Sequence, residues 1–328
     1  MKVLVTGAAG FIGSNACPWF LDKGFEVVGI DNFDPYYSRK VKEFNMSDFI
    51  NNKLFKFIEM DIRNKDELEK LFNVEKFDAV FHLAALAGVT YSVNNPDPYI
   101  EVNYMGTNHL AEFSSKYNVK SFVFASTSSV YGENNTPPYN ETMATDRPEA
   151  PYPATKKACE LLLWSYHRNF ELNVTIFRFF NPIGPKMRPD LALPKLIRSA
   201  EYGEVFKQFF KTLEESARDY VSIIPMLEAV TYAIEHPFKY EIMNLGNSDP
   251  VTLGDFFRTV ESITGKEINK VVEVRPGQMQ ITNANVDKAR KLVNYNPRYK
   301  INETVKMYYD WYMKQPEWYR KAQFEFSD

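Results

Sequence analysis

The chain has 328 residues, 45% apolar and 25% charged, with a formal net charge of −3. That apolar content excludes disorder for the bulk of the chain, and the lack of a basic excess argues against nucleic acid or an anionic membrane as the partner. Two cysteines and four histidines leave no room for a disulfide framework or a metal site rich in either residue, so no metal is expected and a reduced, cytoplasmic setting is the default. No uninterrupted apolar stretch approaches the ~18 residues that span a bilayer.

In chain order, Lys2–Thr6 reads as a short strand, followed by a glycine-rich turn and a helix to about Lys23. Strands follow at Glu26–Ile30, Phe55–Met60, Ala79–Leu83, Ser121–Ser126 and Val174–Phe180, and helices at Asp66–Phe72, Pro98–Lys116 and Pro153–Asn169. Near-continuous apolar strands alternating with helices predict a parallel sheet covered on both faces, wound in right-handed β-α-β units. The fold class is therefore α/β, a doubly wound sheet of the Rossmann type, with a smaller C-terminal α+β unit. That unit is expected to hold helices at about Leu193–Glu201, Met226–Glu235, Leu253–Thr264 and Asn302–Lys314. The expected division is 1–181 and 182–328, with about 219–247 returning to the first unit.

Gly7-Ala8-Ala9-Gly10-Phe11-Ile12-Gly13 lies between the first strand and the first helix. Gly7 permits a tight turn, Gly10 lets backbone approach a pyrophosphate, and Gly13 lets the helix pack on the sheet. The helix start then offers its N–H groups to the anion. Asp31 follows at the end of the second strand, placed to accept hydrogen bonds from ribose hydroxyls and to repel a 2′-phosphate, which favours NAD over NADP. Pro18, inside this first helix, removes a hydrogen bond, and a kink or a compensated turn is expected there.

Tyr152 and Lys156 stand four residues apart at a helix start, hence on one face. The ammonium is expected to favour the phenolate, tuning Tyr152 to take a proton from a sugar hydroxyl as hydride leaves the same carbon. Thr127, Ser128 and Ser129 lie at the C-terminal end of the fifth strand, the edge where open α/β sheets bind ligands. A turn of hydrogen-bonded hydroxyls and a solvated Tyr–Lys pair are the plainer readings of these residues.

With these motifs, the chain resembles the extended short-chain dehydrogenase/reductase family, and within it the nucleotide-sugar epimerases, over nearly its whole length. Asp61-Ile62-Arg63, His82-Leu83-Ala84-Ala85, Asn103 with Gly106-Thr107-Asn108, and Phe179-Phe180-Asn181-Pro182 also carry the likeness. Asp31-Asn32-Phe33-Asp34-Pro35-Tyr36-Tyr37, Ala87-Gly88-Val89 and Gly184-Pro185-Lys186-Met187-Arg188-Pro189-Asp190 look most like UDP-glucuronate 4-epimerases. The resemblance implies bound NAD with Asn32, Asp61, Ile62, Leu83, Ala84, Ala85, Asn103 and Phe179 around it. It implies catalysis by Thr127, Tyr152 and Lys156. A UDP-sugar would meet Thr127, Ser128, Ser129 and Asn181, with Arg188, Arg218 and Arg275 as diphosphate partners and Gln278 near a ribose. Hydride would leave sugar C4 and return to its opposite face, with no net oxidation. A homodimer is implied too, through helices at about 98–116 and 153–169.

Related dehydratases carry an acidic pair after the threonine and related decarboxylases a Glu, whereas this chain has Ser128 and Ser129, which favours simple epimerisation. Thr90, Asn181, Ile224-Pro225, Gln278 and the glycine-free segment Lys211–Ala217 depart from the pattern. Asn181 is the residue of neutral-sugar epimerases, so UDP-glucose or UDP-N-acetylglucosamine 4-epimerisation is the alternative. A net dehydrogenase or decarboxylase, or a non-catalytic nucleotide-binding protein, stands further off. Pro225 fits a first helical turn capped by Ser222.

Overall fold

The computed structural model describes residues 1–132, 135–209, 212–273 and 281–323. Seven strands form one parallel sheet: β1 (Lys2–Thr6), β2 (Glu26–Asp31), β3 (Phe55–Glu59), β4 (Ala79–His82), β5 (Ser121–Thr127), β6 (Val174–Phe179) and β7 (Tyr240–Leu245). Their spatial order is β3-β2-β1-β4-β5-β6-β7, so the winding reverses beside β1. Register sets Thr6 opposite both Ile30 and His82, and Thr127 opposite Phe179. The C-terminal ends of β1, β2, β4, β5 and β6 thus come out along one rim. The doubly wound α/β expectation is met.

Alternate strand residues feed two cores, as a period of two requires. Val3, Val5, Phe81 and Val123 face one side, and Leu4, Val28, Val80, Phe122 and Phe124 the other. On the first side lie α1 (Phe11–Asp22) and, further along the chain, the helix Ile223–Glu235. After α2 (Arg39–Met46), the second side is covered by α3 (Lys65–Glu75) and by the helices at 106–116 and 151–170. The inner strands β1, β4, β5 and β6 are buried on both faces, which explains why they read as nearly unbroken apolar runs.

The single helix expected over Pro98–Lys116 is instead composite. It follows α4 (Val89–Asn94) and consists of α5 (Pro96–Tyr99), a π-helical turn at Ile100–Met105, and α6 (Gly106–Lys116). Prolines at 96 and 98 sit in the first turn, where no helical donor is lost, so the helix begins earlier than expected. The wider turn coincides with Asn103, whose side chain grips Leu86 by both N–H (2.8 Å) and C=O (3.0 Å). Gly106 follows because a Cβ there would lie 2.3 Å from Ile62 Cδ1.

Beyond α7 (Pro151–Phe170) come α8 (Ala192–Tyr202), α9 (Ile223–Glu235), α10 (Leu253–Thr264), α11 (Asp287–Val293), α12 (Ile301–Tyr312) and α13 (Glu317–Arg320). Ser222 caps α9, accepting from the Ile224 N–H at 3.4 Å, and Pro225 occupies the first turn as expected. The short strand Tyr220–Ser222 pairs with Asn181–Ile183 and brings Arg218 toward the sheet rim. Among the described residues, no helix is long and apolar enough to cross a membrane, and no cluster of potential metal ligands occurs.

Candidate active site

A cleft of about 470 Å³ runs along the sheet rim from the glycine turn to Tyr152. Gly7, Gly10, Phe11, Ile12 and Gly13 form one wall. Gly7 holds a left-handed φ of +70°, and a Cβ on Gly13 would stand 2.1 Å from the Gly7 carbonyl oxygen, so both positions require glycine. Gly10 precedes α1 with no side-chain cap, leaving the helix start open to an anion.

Asp31 and Asn32 meet the cleft from the end of β2, and Asp61 and Ile62 from the loop after β3. Asp31 is buried, and its oxygens accept from the Ala9 N–H (3.1 Å) and the Phe33 N–H (2.8 Å). Burial pushes its carboxyl above the ordinary value, while the Lys42 ammonium and the two N–H groups draw it back. Lys42, on α2, is itself buried and donates to the Asp34 carbonyl at 2.7 Å. Asn32 Nδ2 donates to Asp61 at 2.9 Å. Burial opposes the Asp61 charge, but Arg63 and Asn32 outweigh it and hold the carboxyl at about 2.

The far wall is Leu83-Ala84-Ala85, fixed from behind by a buried chain of polar groups. Thr6 Oγ1 accepts from the Leu83 (3.1 Å) and Ala84 (3.0 Å) N–H groups, which uses both its lone pairs. Its own proton therefore goes to His82 Nδ1, 2.8 Å away, leaving Nε2–H to meet Thr107 Oγ1 at 2.9 Å. Burial holds His82 well below its ordinary pKa, so it is neutral, as this chain of bonds requires. Asn103 belongs to the same support: it lies behind the cleft, on Leu86 and Thr155, and is absent from its lining.

At the other end, Thr127, Tyr152, Lys156, Phe179, Asn181, Arg188 and Arg218 all line the cleft. Tyr152 packs edge-on against Tyr99, ring centroids 6.2 Å apart. Burial raises its pKa, while the Thr127 hydroxyl and the Arg188 charge lower it. Lys156, expected to tune this phenol, lines the same end of the cleft, its ammonium over the Phe124 ring at 4.1 Å from the centroid. Burial lowers Lys156 to about 8. Arg188, on the same wall, pairs with Asp190 through two 3.1 Å bonds and lies over the Tyr36 ring.

Ser128 and Ser129 begin a 3-10 turn beside the cleft, the Ser129 N–H donating to Thr127 Oγ1 at 3.2 Å; neither lines it. Asn181 Oδ1 receives the Thr282 hydroxyl at 3.5 Å. Arg218 Nη1 donates to Ser216 Oγ and to the Ala217 carbonyl, both at 3.0 Å. Arg275 and Gln278 lie outside the described residues. Thr90 is exposed and does not line the cleft, so that departure leaves the walls unaltered. Lys42, Tyr36 and Tyr220 line the cleft without having been singled out by role. Only the Asp31–Tyr37 run hinted at Tyr36, and nothing in the local sequence marked Lys42.

A glycine turn at a helix start, an acid at the end of the second strand, and a buried phenol across the rim define a doubly wound nucleotide-binding enzyme. The chain belongs to the NAD dependent epimerase/dehydratase family, whose model matches residues 3–246. It is 35% identical over 310 residues to the UDP-glucuronate 4-epimerase of Thermodesulfobacterium geofontis, covering 94% of this chain and 95% of that protein. The Bacillus cereus UDP-glucuronic acid 4-epimerase, solved with UDP-glucuronic acid and NAD, superposes with a TM-score of 0.88 at 34% identity, covering 95% and 98% of the two chains. A Methanobrevibacter ruminantium UDP-N-acetylglucosamine 4-epimerase superposes with a TM-score of 0.87 at 29% identity, covering 96% and 99%.

Proposed function

We propose that the chain is an NAD-dependent UDP-sugar 4-epimerase acting on UDP-glucuronate. The observation that carries this reading is the division of charge along the cleft. Its acidic lining residues, Asp31, Asp34 and Asp61, come from the β2 and β3 ends with Lys42 beside them, whereas Lys156, Arg188 and Arg218 line the Tyr152 end, where no described carboxylate lines the cleft. No acid follows Thr127, and a sugar carboxylate would meet the Thr127 and Tyr152 hydroxyls and the Arg188 guanidinium there.

The glycine turn fits a pyrophosphate, and Asp31 an adenosine ribose. NAD, when bound, supplies the acceptor and donor of the C4 hydride. Tyr152 removes and returns the C4 hydroxyl proton, Thr127 holds that hydroxyl, and Lys156 supplies positive charge beneath the site. Arg218 takes the sugar diphosphate. Residues 1–181 with about 219–247 form the NAD-binding unit, and 182–328 the UDP-sugar unit.

The test is incubation with a panel of UDP-sugars without added NAD, products read by chromatography. UDP-galacturonate from UDP-glucuronate is expected. Asn181 favours a second reading, a neutral UDP-sugar, and a new stereoisomer from UDP-glucose or UDP-N-acetylglucosamine alone would establish it. A pentose product or net NADH would overturn epimerisation.

Asp31→Ala is expected to weaken NAD binding about tenfold or more, since a hydrogen bond to a charged group contributes about 1.5–3 kcal/mol. Fluorescence titration with NAD reads this, and unchanged affinity removes the ribose assignment.

A second copy of this chain is the partner we assign to the exposed face of α7 and the π-helical turn that leads into α6. Leu161 (60% exposed), Trp164, Phe170 (63% exposed) and, on the π-helical turn, Met105 leave large apolar surface uncovered. Pairing these helices across a two-fold axis would bury them in a four-helix bundle. Sedimentation should give a dimer; a concentration-independent monomer would contradict it. Both cysteines are buried and unpaired, in keeping with a cytoplasmic setting.

A further inference from the structure

The loop 184–190 carries Arg188 to the Tyr152 end of the cleft, and two side-chain bonds tie this loop to α1. Asn15 Nδ2 donates to the Pro185 carbonyl at 2.8 Å. Lys186 Nζ donates to the Ser14 carbonyl at 3.2 Å. That carbonyl is available for a covalent reason. Pro18 stands four residues after Ser14 and has no N–H, so α1 leaves the Ser14 oxygen without its helical donor. Ser14 is fully buried, so bulk water does not take the donor's place.

Lys186 is buried as well. Its remaining protons reach Asp48 Oδ1 and Oδ2, both at 2.8 Å, so three chain segments meet on one ammonium. Its backbone adopts φ +63°, a left-handed conformation that a residue with a Cβ holds only where its surroundings fix it. Gly184, two residues earlier, packs so closely that a Cβ would lie 2.5 Å from Ile223 Cγ2. The loop is thus pressed onto α9 and bolted to α1 at the residue immediately following Gly13.

We propose that Pro18 and Lys186 act together as a latch between the phosphate-binding helix and the loop bearing Arg188. The proline frees the Ser14 carbonyl, the lysine occupies it, and the distance between the two ends of the cleft is set as a result. Lys186 is a positioning residue acting through Arg188; that part rests on the reading of the Tyr152 end as the sugar site, whereas the latch itself does not.

The test is a cycle of Lys186→Met, Pro18→Ala and the double variant. Lys186→Met strands the Ser14 carbonyl, and Pro18→Ala restores a backbone N–H to it. Pro18→Ala should therefore raise the melting temperature more in the Lys186→Met background than in the wild type. Equal shifts in both backgrounds would overturn the latch. The amides of Met187, Arg188, Asp190 and Leu191 should exchange with deuterium faster in Lys186→Met than in the wild type, and unchanged exchange would overturn the positioning role. For UDP-glucuronate, Lys186→Met should raise KM about tenfold with kcat within about twofold, and Lys186→Arg should recover most of the loss. An unchanged KM would also overturn the positioning role. Should no UDP-sugar be turned over at all, the proposed function fails, while melting and exchange still decide the latch.

Discussion

Tyr152→Phe is expected to lower turnover by about 10²- to 10⁴-fold, the usual contribution of a positioned acid–base group. The substitution subtracts one oxygen and little else. The ring keeps its edge-on contact with Tyr99, and the backbone N–H at this position keeps its 3.1 Å bond to Ser92 Oγ. Neither the glycine turn nor Asp31 touches the phenol, so NAD affinity should stay near that of the wild type. Chromatographic initial rates and the NAD content of the purified variant read the two effects separately. Undiminished turnover would remove the proton-transfer role. Loss of turnover together with loss of NAD would make the hydroxyl a binding group.

The parts of this site that the sequence displays are those encoded within one turn of chain. Gly7–Gly13 is readable because a tight turn, a close backbone approach and a helix–strand contact each demand glycine at a fixed offset. Tyr152 and Lys156 are readable because four residues return a helix to the same face. Other parts depend on contacts between distant segments. Lys156 turns out to lie over Phe124, and Arg188 reaches Tyr152 from a loop 36 residues later in the chain. Neither fact has a local signature. Pro18 shows the same limit from the other side. Its disruption of the helix is obvious from sequence, but the donor that compensates, Lys186, comes from a loop whose packing is fixed only by the tertiary fold. The composite helix at 96–116 is a further case. Its apolar spacing suits a single α-helix, and the wider turn at Ile100–Met105 coincides with the inward pull of Asn103 on Leu86.

Glu160→Ala is expected to destabilise the fold by about 3–5 kcal/mol, the cost of leaving a buried partner charge uncompensated. Glu160 continues the face of α7 that carries Tyr152 and Lys156, four residues further on, and is almost fully buried. It accepts from Arg178 Nε (3.0 Å) and Nη2 (2.8 Å) on β6 and from Ser126 Oγ (2.7 Å) on β5, next to Thr127. One carboxylate thus fixes the catalytic helix against both strands whose ends form the Tyr152 side of the cleft. Burial alone would raise the Glu160 pKa, but Arg178, Lys157 and Ser126 outweigh it, so the folded value lies below the ordinary one. The sign follows: the stabilisation is complete at neutral pH and is lost as pH falls through the depressed folded value. Denaturant unfolding of wild type and variant at neutral and acid pH measures both quantities. Glu160→Gln, which keeps the volume and an acceptor for Arg178, should lose less. A Glu160→Ala midpoint equal to that of the wild type at neutral pH would mean that the guanidinium has found another partner and that α7 is held by its apolar face alone.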